Sequence, residues 1–237
     1  MREAMGWALL GASSLIIGAL VAFAVPIPRK VLGFILAFGS GVLTSAVAYE
    51  LVEEAVTVSA NSYAVGLGFA GGALVFFVGD VAIDRWMKGS SRVGGLGIVL
   101  GAVLDGVPES VVIGASLLTG ETASAAVIVA VFLSNIPESI SASSDLVRGG
   151  WSRWRVLLLW VVVVVASTLA AGLGYVALEG ASGSWIAAIQ AFAAGAILTM
   201  LADEMMPEAF EYTDHTKTVG LAVALGFALS AALSFAD

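Results

Sequence analysis

The chain runs to 237 residues, 59% of them hydrophobic and 12% charged, with a formal net charge of −8 and no cysteine; its mean hydropathy is +1.02. A soluble globular domain carries about 25% charged residues, so this composition belongs in lipid and argues against a soluble enzyme or a nucleic-acid-binding module. Disulfides and thiolate metal sites are excluded, and the redox compartment stays open.

A bilayer core takes about 20 predominantly apolar residues per helix, and eight such runs follow one another: residues 5–25, 31–52, 63–83, 93–118, 123–146, 156–178, 184–206 and 219–235. Ala22-Phe23-Ala24 imitates a signal-peptide cleavage site. The first run is long, however, and Arg29 and Lys30 would then open the exported protein, so it is read as a span. The joins are short, which predicts one transmembrane domain over residues 1–237.

Lysine and arginine concentrate in cytoplasmic loops. Here Arg29 and Lys30 follow the first run, Arg85, Lys88 and Arg92 the third, Arg148, Arg153 and Arg155 the fifth, and Lys217 the seventh. Nine of the ten bases fall on one side, with Arg2 opposite. The intervening loops carry acid and no base. This alternation predicts an all-α, multi-pass integral membrane protein with both termini outside.

The fourth and fifth runs carry a pair of related motifs, Asp105-Gly-Val-Pro-Glu-Ser110 and Ser134-Asn-Ile-Pro-Glu-Ser139. On antiparallel helices the two meet near one depth, as in transporters that build a midplane site from inverted repeats. A second echo, Tyr49 to Ala55 against Asp203 to Ala209, makes runs one to three and six to eight the flanking units of a 3+2+3 inverted-repeat bundle. Residues three or four apart share a helix face, which aligns Asp105 with Glu109, and Ser134 and Asn135 with Glu138. Pro108 and Pro137 cannot donate to the carbonyls four residues back, so each is expected to kink its helix and free an oxygen beside the carboxylates. A carboxylate at the bilayer centre costs roughly 2.5 to 3.5 kcal/mol on insertion scales. Asp105, Glu109 and Glu138 together therefore cost on the order of 8 to 10 kcal/mol, which packing alone does not favour. Oxygen ligands beside a helix break suit a divalent cation shedding its hydration shell, or protons exchanged while a substrate crosses.

At these residues the sequence resembles the ZIP family of metal-ion transporters, whose fourth and fifth of eight helices carry His-Asn-x-Pro-Glu-Gly motifs around a central metal site. Asp105 takes the place of the first histidine, Gly106 of the asparagine, and Glu109 matches the glutamate. In the fifth helix Ser134 takes the histidine position, while Asn135, Pro137 and Glu138 match. The final Asp-Glu-Met-Met-Pro-Glu-Ala segment is also similar. Both motif histidines are replaced here, both trailing glycines are Ser110 and Ser139, and Ala166-Ser167-Thr168 stands where many members add a glutamate. Imidazole suits zinc, copper, iron and nickel, whereas carboxylate, carbonyl and water suit magnesium, calcium and manganese.

The resemblance implies a carrier of zinc, iron, manganese or similar divalent cations into the cytoplasm. The metal is then cargo, no prosthetic group is needed, and a homodimer in the cell membrane is implied. Asp105, Glu109 and Glu138 would be charged ligands, Asn135 and Ser134 neutral ones. Glu50 and Glu54 outside, with Asp203, Glu204 and Glu208 inside, would line the approaches. The rival readings are a transport-silent metal-sensing or interaction protein on the same scaffold, and a proton-linked carrier of a small organic solute.

The remaining features read as structure. Asp80 and Asp84 suit a solvated helix end, and His215 a surface loop. Gly68 with Gly72, and Gly97 with Gly101, suit close helix packing in lipid. Trp151, Trp154 and Trp160 suit interfacial anchoring.

Overall fold

The computed structural model describes residues 1–59, 62–88, 94–117 and 125–235, with the backbone alone at residues 62, 87, 88, 94–100, 105, 107, 116, 125 and 126. Among these residues the chain is helical and contains no strand. We label the helices α1 (Arg2–Ala24), α2 (Arg29–Val58), α3 (Ser62–Lys88), α4 (Gly94–Ser116), α5 (Ala125–Arg148), α6 (Arg153–Leu178), α7 (Gly183–Tyr212) and α8 (Val219–Ser234). Six of them, α1, α2, α3, α5, α6 and α7, hold stretches long and apolar enough to cross a membrane; α8 is a shorter apolar helix. Exposed leucines and valines such as Leu67, Leu74, Leu173 and Leu225 clothe the outer surface. Water would not tolerate such a belt over a whole molecule, and lipid does.

Packing follows two groupings. The α2 helix lies along α8 and α3 along α7, while α1 lies along α5 and α6, and α4 along α6. Contacts of α2 with α5 and of α4 with α7 join them. Glycine makes the closest crossings. A methyl carbon at Gly41 would overlap the carbonyl oxygen of Val223, and one at Gly226 that of Phe38. The α3–α7 pair repeats this: Gly195 faces the carbonyl of Phe69, and Gly72 that of Phe192. Phe38 and Phe192, Gly41 and Gly195, Phe69 and Val223, and Gly72 and Gly226 are each 154 residues apart. At the same spacing Ala12-Ser-Ser-Leu15 answers Ala166-Ser-Thr-Leu169, and Val65-Gly-Leu67 answers Val219-Gly-Leu221.

The same spacing governs the helix irregularities. α2 passes through a π-helical stretch at Val47–Val52 and α7 through one at Leu201–Met205. A π stretch widens the turn and re-aims the side chains beyond it, and such bulges are common at functional sites. α4 and α5 stay helical through Pro108 and Pro137. α2 also continues to Val58 and α7 to Tyr212, beyond the apolar runs, because α-helical bonding resumes after each π stretch.

Two cation–π contacts fix which helix ends lie together. Arg29 sits 5.2 Å over the Tyr212 ring, and Arg153 sits 5.8 Å over that of Phe23. The ends of α1 and α7 and the starts of α2 and α6 therefore share one end of the molecule, called here the basic end. Val58 and Gly183 meet at the opposite end.

Three side readings are settled by packing. Trp160 is not an interfacial anchor: it is fully buried and its Nε1 donates to Ser143 Oγ at 2.8 Å. Gly68 and Gly72 do press on α7, but among the described residues nothing lies within 4 Å of a methyl carbon at Gly101, and the side-chain surroundings of Gly97 lie outside the described residues. His215 is exposed in the turn after α7, in left-handed conformation with φ 53°.

Candidate functional site

Glu109 of α4 and Asn135 and Glu138 of α5 line one internal cavity of ≈ 10 Å³, about the space one water centre needs. Glu109 is only 4% exposed, and its Oε1 has no hydrogen-bond partner among the described residues. Leaving such an atom unsatisfied costs about 1–3 kcal/mol, more when it is charged, so the carboxyl group is positioned for something other than packing.

Serine hydroxyls complete the wall. Ser110 and Ser167, both nearly buried, line the same cavity. Ser110 Oγ donates to the Gly106 carbonyl at 2.5 Å, which aims its lone pairs elsewhere. A methyl carbon at Gly106 would come 2.9 Å from Ser167 Oγ, so the hydroxyl lies close against this glycine. Neither serine was singled out as a ligand by the sequence, since their convergence depends on α6 packing against α4.

The motif residues separate in the structure. Glu109, Asn135 and Glu138 come together. Ser134 does not line the cavity: its hydroxyl donates to the Val131 carbonyl at 3.0 Å, and its backbone faces Gly39 of α2. Asp105 lies on α4 one turn before Glu109, with its side chain outside the described residues. Among the described residues no three His, Asp or Glu side chains are grouped closely enough to hold a metal ion by themselves. The described cavity wall thus offers two carboxylates, an amide and hydroxyl oxygens.

The two sides of Glu109 differ. Toward the opposite end, Leu43, Val47 and Leu51 of α2, with Val112, Val131 and Ile197, close around a second small cavity that Glu109 also borders. Toward the basic end a line of carboxylates leads away. Glu138 lies within electrostatic reach of Glu109, Glu204 and Glu208, and Glu204 within reach of Asp80, Asp84 and Asp203. Exposure rises along this line, from buried Glu109 through half-buried Glu138, Glu204 and Glu208 to exposed Asp203. Asp80, read from sequence as a solvated helix end, is half-buried and part of it.

The basic mouth carries a polar tie. Ser141 of α5 donates to Glu208 Oε1 at 2.5 Å and lies 2.9 Å from the Tyr212 hydroxyl, whose ring carries Arg29. At the opposite mouth Glu50 sits half-buried within the π stretch of α2 and Glu54 half-buried one turn on, while Tyr49 packs edge-on to Phe235. No family model and no curated protein matches the chain.

Proposed function

We propose that this chain carries divalent metal cations across a membrane toward its basic, cytoplasmic end, through a site formed by Glu109, Asn135 and Glu138. The observation that carries this reading is the buried, unpartnered oxygen of Glu109 in a cavity of one-ion size, joined to solvent by a line of carboxylates. Two carboxylates offset a charge of +2, and the amide and serine oxygens replace water lost on entry. Carboxylate and neutral oxygen ligands suit magnesium, calcium or manganese better than they suit zinc. Asp105 remains a candidate ligand through its place one turn from Glu109.

The constant spacing of 154 residues, with the Pro-Glu motifs between the matched segments, supports eight spans in a 3+2+3 inverted-repeat bundle. The basic loops support termini outside and a cell-membrane location. The resemblance to ZIP transporters adds the direction of transport and a homodimer. A carrier of small organic solutes is disfavoured at the carboxylate site, whose cavity of ≈ 10 Å³ is far below the roughly 300–1,000 Å³ of such pockets. The roomier cavity of ≈ 340 Å³ beside Leu104 and Pro108 is lined by apolar side chains, with no polar group to orient a solute.

The test is uptake of manganese, magnesium, calcium, zinc, iron(II), cobalt and cadmium into proteoliposomes, with Glu109→Ala and Glu138→Ala as controls. Saturable uptake that both variants lose is the expected result. Uptake undiminished in both variants would remove the site, and no uptake of any ion by folded protein would favour a sensing or structural role.

A further inference from the structure

Gln190 of α7 is the most isolated polar side chain in the described structure. It is 0% exposed, and neither its Nε2 nor its Oε1 has a hydrogen-bond partner among the described residues. Buried amides without partners are rare in folded proteins. The helix gives it no local reason, because the surrounding residues of Gly183–Met200 are almost all apolar.

Its direction and depth are fixed by its helix. α7 meets α3 through Ala188, Phe192 and Gly195; Gln190, two positions before Phe192, points to the other side of the rod. Ile197 lies seven residues further on, nearly two turns, and so shares the azimuth of Gln190. Ile197 is one of the residues that close over Glu109. Gln190 therefore stands about 10 Å farther toward the opposite end, on the same side of α7. Since Val58 of α2 meets Gly183, antiparallel pairing brings Gln190 level with Glu50 and Leu51 and inward of Glu54.

We infer that Gln190 is a polar station of the outer half of the cation path, sealed in this conformation and hydrated when the outer side opens. The inference rests on the carrier reading above. The amide oxygen is a neutral ligand that can replace one hydration water without holding the ion as a carboxylate would, and the amide nitrogen can orient a remaining water. Its place beside the level of Glu50, inward of Glu54 and outward of Glu109, makes it a stepping point across the apolar closure. Packing does not call for an amide there: the matching position on α2, 154 residues earlier, is the fully buried Leu36.

Because the chain has no cysteine, one introduced thiol reports alone. Gln190→Cys in sealed, right-side-out proteoliposomes should react with a membrane-impermeant maleimide from outside, and saturating manganese should slow that reaction. In parallel, Gln190→Leu should cut manganese uptake at least about tenfold, chiefly through KM, with thermal stability equal to or above that of the unmodified protein; tenfold corresponds to about 1.4 kcal/mol. A thiol that reacts from neither side or from the basic side only, Gln190→Leu with normal uptake, or Gln190→Leu with lost stability would each overturn the inference and make Gln190 a structural group. Absence of uptake by the unmodified protein removes the carrier reading, and the inference with it. Normal uptake in both the unmodified protein and Gln190→Leu removes the inference alone.

Discussion

α2 and α7 use the same glycine contacts and the same π stretch, 154 residues apart, yet they give the two ends of the molecule different chemistry. Beyond its π stretch α7 presents Glu208 and Tyr212, both in contact with Ser141 of α5. The matching residues of α2 are Glu54 and Val58, and the residue of α4 that answers Ser141 is Val112, which helps close over Glu109. One end thus has carboxylates leading to the buried site and the other an apolar closure. The glycine crossings hold the backbones at one spacing whichever side chains flank them. Scaffold and access are therefore separate properties: the first is duplicated, and the second is decided by side chains and by the conformation captured.

The largest effects should come from breaking the scaffold. Gly41→Ala and Gly195→Ala each push a methyl carbon into a backbone carbonyl that cannot turn aside. Each should cost about 3 kcal/mol, the upper end of ordinary overpacking, in thermal or denaturant unfolding of the detergent-solubilised protein. The comparison requires the two losses to be similar. A severe loss in one and none in the other would mean that the two helix pairs are not equivalent.

Next comes the apolar closure. Ile197→Asn buries an amide that the closed form cannot satisfy, a penalty of about 1–3 kcal/mol, and so should favour opening at that end. Combined with Glu109→Cys, it should raise labelling by an impermeant maleimide from the end opposite the basic loops at least about fivefold, the equivalent of roughly 1 kcal/mol. No change in labelling from that side would show that Ile197 does not gate access.

How much of this was written in the residues depends on the kind of signal. The long helices and the basic end were legible because hydropathy and the Lys/Arg distribution act segment by segment. Glu109, Asn135 and Glu138 were legible because two carboxylates in apolar helices, each beside a proline, are costly anywhere else. The π stretches were not, since Val47–Val52 and Leu201–Met205 contain ordinary helix-forming residues and the wider turn carries no local signature. Ser110, Ser167 and Asp80 were missed because their neighbours come from other helices. Gln190 did leave a trace, a lone amide in an apolar helix, but its burial required the fold.

A smaller effect is expected at the basic mouth. Ser141→Val gives α5 the side chain that α4 already has at the matching position, and removes the bond to Glu208 and the contact with Tyr212. A hydrogen bond to a charged group contributes about 1.5–3 kcal/mol, reduced here because Glu208 is half-buried and can recover water. Thermal stability should fall modestly, and Glu109→Cys should become less reactive from the basic end if the tie holds that mouth open. Faster labelling would instead make the tie a latch that restrains it.

The smallest effect sharpens the contrast between the path and plain packing. Trp160 and Ser143 are also buried polar groups, but unlike Glu109 and Gln190 they satisfy each other, Nε1 to Oγ at 2.8 Å. Trp160→Phe keeps most of the ring volume, removes the donor and leaves the hydroxyl exposed to an apolar wall, for a loss of about 1 kcal/mol. Adding Ser143→Ala removes the stranded hydroxyl, so the double variant should be more stable than the sum of the two single losses implies. Metal uptake should be unaffected throughout, because neither residue lines the cavity. Uptake that fell with Trp160→Phe while stability held would extend the functional region into the α5–α6 interface and blur the division between satisfied and unsatisfied groups.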